Sequence, residues 1–110
     1  MQTIPLNIQE PYLSFVLNGQ KTIEGRLNKG KFKDLKIGDI LLIGADAKRF
    51  LIEKTTIYKS FREMIEKEGI ENVIPDKNNI DEAEAVYYKF YTKEQEEEFG
   101  VLAIKIKELL

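Results

Sequence analysis

The run Val101-Leu102-Ala103-Ile104-Lys105-Ile106 near the C-terminus constrains the fold more than any other segment. Its apolar, partly β-branched content and its place just after Gly100 suit a strand. The other β-type runs lie far upstream, at Lys21–Leu27, Ile40–Ile43 and Phe50–Tyr58, the last carrying Thr55, Thr56 and Ile57. Residues 60–99 between them carry helical signals instead. The last strand must therefore return from a helical excursion and join a sheet begun early in the chain. Short connections among the early strands favour antiparallel pairing. Helices and strands do not alternate strictly, which argues against a doubly wound parallel sheet. The pattern predicts an α+β fold: a small β-barrel flanked by helices, an arrangement that leaves no long open edge.

The helical signals are local. Pro11 suits the opening turn of a helix in which Tyr12, Phe15 and Val16 follow at helical spacing, and Gly19 supplies a stop. Leu35–Asp39 has the form of a turn that launches Ile40–Ile43. Ser60-Phe61-Arg62-Glu63 resembles a capping box ahead of Met64 and Ile65, with Gly69 ending that helix. Asp81 is placed to cap a helix over Glu82–Tyr91, whose apolar stripe holds Val86, Phe90 and Tyr87. Thr92-Lys93-Glu94-Gln95 is a further capping-box pattern, and Glu94–Glu98 reads as a solvated helix face. No repeat or Pro/Gly/Ser linker divides the chain, so residues 1–110 read as one domain.

Composition excludes several chemistries. The chain has no cysteine and no histidine. Disulfides, thiolate nucleophiles, imidazole metal sites and Ser-His-Asp catalysis cannot be built from it, and no metal or cofactor is expected. Any chemistry must use Lys, Arg, Asp/Glu, Tyr, Ser/Thr or the backbone. No signal-like or membrane-spanning run appears, which points to a cytoplasmic setting. Net charge is −2, unhelpful for a general nucleic-acid binder, but the charges are unevenly placed. Residues 21–36 carry a local balance of +4 and residues 61–99 one of −7. A basic cleft on an acidic body follows, and phosphates respond to the local field.

The informative stretch is Gly19-Gln20-Lys21-Thr22-Ile23-Glu24-Gly25-Arg26. If residues 22–26 are extended, Thr22, Glu24 and Arg26 share a face and Ile23 takes the other. Lys21 has the wrong parity for that face. It joins Glu24 and Arg26 only from the turn after Gly19, with its stem swung over the strand's end. Two cations would then flank one carboxylate and favour its charged form. Such a carboxylate accepts hydrogen bonds from the amino or imino edge of a base, while Lys and Arg can meet a carbonyl or phosphate. A fully exposed trio of this kind would be worth only about 0–1 kcal/mol.

The same stretch resembles the G-x-K-x-x-E-x-R signature of ASCH domains, a branch of the PUA-like superfamily. The context is similar too: a short amphipathic helix before the motif, the Lys36-Ile37-Gly38-Asp39 turn, and a Tyr-rich helix before Gly100-Val101-Leu102-Ala103-Ile104. The resemblance covers nearly the whole chain and implies a PUA-like small mixed β-barrel of about five to six strands, flanked by helices, that binds RNA or a nucleoside-type ligand between barrel and helix. Lys21, Glu24 and Arg26 are then the expected ligand-binding residues, with Tyr88 and Tyr91 as stacking candidates, and Tyr87 and Phe90 assigned to packing.

Other readings stand beside that one. Some small ASCH proteins are amidohydrolases that deacetylate acetylated cytidine with a Lys, a Thr and a Glu. Here Lys21 matches the lysine, Glu24 occupies the threonine's position, and Glu82 best matches the glutamate, with Glu84 as the fallback. The expected catalytic set would be Lys21, Glu24 and Glu82, with Glu82 as general base toward water. Metal-independent RNA cleavage could use the same charged groups. A protein-interaction module, using the Tyr-rich helix and acidic segment, is the third alternative.

Overall fold

The computed structural model describes residues 1–110. Its strands are β1 (Thr3–Leu6), β2 (Ile23–Leu27), β3 (Ile40–Ile43), β4 (Lys48–Tyr58) and β5 (Val101–Glu108). The helices are α1 (Tyr12–Leu17), α2 (Phe61–Glu68), α3 (Ile70–Val73), α4 (Ile80–Tyr87) and α5 (Lys93–Phe99), with a 3-10 turn at Gly30–Asp34. The strands form one sheet in the order β1-β3-β4-β5-β2. β1 runs parallel to β3, and every other pairing is antiparallel. The fold is thus α+β with a mixed, curled five-stranded half-barrel, and β5 does return to lie between β4 and β2.

A core lies on each face of the sheet. Ile23, Leu27, Val101 and Ala103 pack against Phe61, Met64, Val73 and Val86 of the helical excursion. Leu41, Phe50, Ile52, Leu102 and Ile104 fill the inside of the curl with Val16 of α1. The strand alternation of β5 divides its residues between these cores, as the period of two requires.

Local chemistry sets the helix ends. Ser60 accepts a hydrogen bond from the Glu63 N–H at 3.0 Å. The Glu63 side chain reaches Lys59 rather than Ser60, so the box stays open. Thr92 and Gln95 form the full reciprocal box. Several expectations are corrected. Asn79, not Asp81, caps α4, accepting from the Glu82 N–H at 2.9 Å, while Asp81 pairs with Arg62. The helix also stops at Tyr87, and the N–H groups of Lys89 and Phe90 bond three residues back in a tight turn. That turn swings Phe90 out of the apolar stripe to 54% exposure, so it is not a packing residue. Nor is Glu94–Glu98 wholly solvated: Glu96 is buried, accepting from the Phe61 N–H at 2.7 Å and the Tyr88 hydroxyl at 2.6 Å. No helix is long and apolar enough to cross a membrane.

Candidate functional site

β1 and β2 are the two ends of the sheet and do not pair with each other. The half-barrel therefore keeps an open seam. Arg26 on β2 reaches across it, donating through Nη2 to the Asn7 carbonyl just beyond β1. A cleft of about 240 Å³ lies along this seam. Asn7, Gln9 and Tyr12 form one wall, and Tyr87, Phe90 and Tyr91 the other, over a floor of Lys21 and Glu24–Arg26.

The predicted trio assembles here. Lys21 sits in the turn before β2, as its parity demanded, and its Nζ is 3.5 Å from Glu24 Oε1. Arg26 Nε and Nη2 both lie 2.7 Å from Glu24 Oε2. The group is far from an exposed salt-bridge cluster: Lys21 is 3% and Glu24 6% exposed. The Lys21 ammonium also donates at 2.6 Å to the carbonyls of Ile23 and Val73, so two of its three hydrogens are held by the backbone, beside the ion pair with Glu24. Burial pushes its pKa below the ordinary lysine value, against the opposing pull of Glu24. Arg26 is half-buried, and its guanidinium lies 5.3 Å over the Phe32 ring. Arg26 Nη1 and the second lone pair of Glu24 Oε1 stay open to a ligand.

The remaining candidates are divided. Tyr91 lines the cleft, stacked on Phe61 at 5.4 Å, and its phenol is pushed up by burial. Tyr88 lies outside it, its hydroxyl held by Glu96. Glu82 is exposed on α4 and Glu84 pairs with Arg62 at 3.0 Å, so neither meets the trio. No group of three or more carboxylates gathers as a metal site.

Sequence reasoning missed three contributors. Tyr12 faces the trio from α1, its ring 6.0 Å from Lys21 Nζ. Phe90 stands exposed at the rim. Tyr87 packs against Phe61 as expected, with centroids 4.5 Å apart, but its hydroxyl is buried without a hydrogen-bond partner. Burial, then the nearby Glu24 charge, raises that phenol well above its ordinary pKa. The Tyr87 side chain was legible as core from its stripe. Its orphaned hydroxyl was not, because its surroundings come from three separate elements.

An open-seamed half-barrel with a buried cation–carboxylate–cation trio beside aromatic walls defines a small PUA-like barrel domain. The chain belongs to the ASCH domain family, whose model matches residues 6–110. It is similar to the hypothetical protein PH0355, known from a crystal structure, at 39% identity over 98% of this chain and 100% of that one, with a TM-score of 0.92. It is also similar to protein PF0455 from Pyrococcus furiosus, solved by solution NMR, at 38% identity over 98% of each chain and a TM-score of 0.83. No curated protein matches it significantly.

Proposed function

We propose that the protein binds RNA, or a nucleoside-type ligand derived from it, in the seam cleft between β1 and β2. The observation that carries this reading is the Glu24–Arg26 pair at the cleft floor, a buried carboxylate and a half-buried guanidinium with open hydrogen-bonding capacity between tyrosine-rich walls. Aromatic faces beside cations are what unpaired bases stack on, at roughly 1–3 kcal/mol per base. RNA binding is also the role proposed for ASCH domains as a family. In this reading Lys21 positions Glu24 rather than touching the ligand. Tyr91, Tyr12 and the exposed Phe90 supply the stacking surfaces.

The hydrolase alternative finds less support. Its proposed general base, Glu82, lies outside the cleft, and Lys21 already commits two of its three hydrogens to backbone carbonyls and its charge to Glu24. The test is titration of short single-stranded RNA and free nucleosides into the wild-type, Arg26→Ala and Glu24→Gln proteins. Each substitution is expected to weaken binding by roughly tenfold or more, since each removes a buried, charge-assisted contact. Wild-type affinity retained by both folded variants would sink the reading.

A further inference from the structure

The register of β2 against β5 decides which of its backbone groups the cleft can use. The Ile106 N–H donates to the Thr22 carbonyl, and the Asn28 N–H to the Gly100 carbonyl. In an antiparallel pair, the residues opposite each other alternate between exchanging hydrogen bonds and turning their peptide groups away. Thr22, Glu24, Arg26 and Asn28 therefore bond β5, and Ile23, Gly25 and Leu27 turn their N–H and C=O groups toward the open seam. Two of these outward carbonyls are already occupied. Ile23 accepts from Lys21 Nζ at 2.6 Å, and Leu27 accepts from the Lys29 N–H at 2.9 Å.

Gly25 is different. It lines the cleft, and its outward N–H and C=O have no partner within the protein. A buried residue whose N–H and carbonyl are both unmatched is uncommon, since more than nine in ten such groups are paired. The absence of a side chain is required there for a separate reason: a Cβ would come within 2.6 Å of Met64 Cε and 3.1 Å of the Tyr87 hydroxyl. The one unpartnered buried side-chain polar atom, that same hydroxyl, thus lies against the one residue of β2 whose outward N–H and carbonyl are both unpartnered.

We infer that Gly25 is the recognition element of the cleft: its N–H donates to, and its carbonyl accepts from, one edge of a planar ring that carries an acceptor beside a donor. Amino-substituted nucleobases have such an edge, with a ring nitrogen next to an exocyclic amino group. A strand donated by a peptide would use alternate residues along the edge, and here the flanking carbonyls of Ile23 and Leu27 are capped. A single residue's donor and acceptor, walled by Tyr12, Tyr87 and Tyr91, fits a ring edge. Shape and hydrogen bonds to the ring, rather than charge, then set the preference. A site built to bond a polar edge rejects analogues that lack it, because its own groups would be left unpaired.

This inference rests on the binding reading above, and the experiment separates the two. Amide spectra of the isotope-labelled protein are recorded while adenosine and cytidine are added. They are compared with purine riboside, which lacks the amino group, and with N1-methyladenosine and N3-methylcytidine, whose ring acceptors are blocked. The Gly25 amide proton is expected to move downfield with the parent nucleosides, and the analogues to bind at least tenfold more weakly. Binding that leaves the Gly25 amide in place, or equal affinity for parents and analogues, overturns the role of Gly25 while leaving the cleft reading intact. Shifts running along residues 23–27 with an unstructured peptide, and none with nucleosides, would replace base recognition by strand addition. Absence of binding by every nucleoside and by single-stranded RNA overturns both readings.

Discussion

Removing the ammonium of Lys21 while keeping its stem isolates what that group does. Lys21→Met leaves the carbonyls of Ile23 and Val73 buried without a donor and takes one of two cations from Glu24. Burial of the charge costs free energy, but an unpaired buried acceptor costs more than a hydrogen bond returns. The variant is expected to lose about 1–3 kcal/mol of stability, read from the midpoint of urea unfolding. An unchanged midpoint would mean that the clamp is dispensable and Lys21 is held for a ligand. The convergence of Lys21, Glu24 and Arg26 was legible because strand parity and stem length are properties of neighbours in sequence. The depth of Lys21 was not. It depends on the Val73 carbonyl, which arrives from a helix far along the chain. Glu82 lies away from the trio for a related reason: helix position alone does not fix which face looks into a cleft.

At the scale of elements, the spacing between β2 and the helical layer is set by Gly25. Gly25→Ala introduces no backbone strain, yet its Cβ would overlap Met64 Cε and Sδ and crowd the Tyr87 hydroxyl. Overpacking of this kind costs about 1–3 kcal/mol, and the flexible end of Met64 can absorb part of it. Gly25→Ala is therefore expected to destabilise, and adding Met64→Ala should give less than the sum of the two single losses. Additive losses would show that β2 and α2 do not share that contact. Most elements were readable because their signals are local: the Ser60 and Thr92 caps, the Gly19 and Gly69 stops, and the apolar runs of β3, β4 and β5. β1 escaped notice. It is four residues long and contains Pro5, which argues against a strand, but an edge strand tolerates a missing donor on its open side. Missing β1 also hid the seam, and with it the reason that a cleft exists where it does.

For the whole molecule, the uneven charge becomes a geometric feature. Lys29, Lys31, Lys33 and Lys36 are exposed on the segment that follows Arg26, and none forms a salt bridge. Lys31 lies 5.4 Å over Phe32, the ring that also carries Arg26, so the segment continues the cleft. The helical segment 61–99 carries a balance of −7, which disfavours an anionic strand on that side. A polynucleotide whose base occupies the cleft would lay its phosphates over these lysines, whereas a free nucleoside would not reach them. Counterion release then separates the two ligands, because single-strand affinity falls with log salt at a slope of roughly −0.7 per phosphate contact. Replacing Lys29, Lys31 and Lys33 with alanine is expected to reduce the slope for single-stranded RNA by up to roughly 2, with nucleoside affinity unchanged. Titrations across a series of salt concentrations measure it directly. A slope that survives the triple substitution would make these lysines ordinary solvated side chains and limit the ligand to what the seam itself encloses.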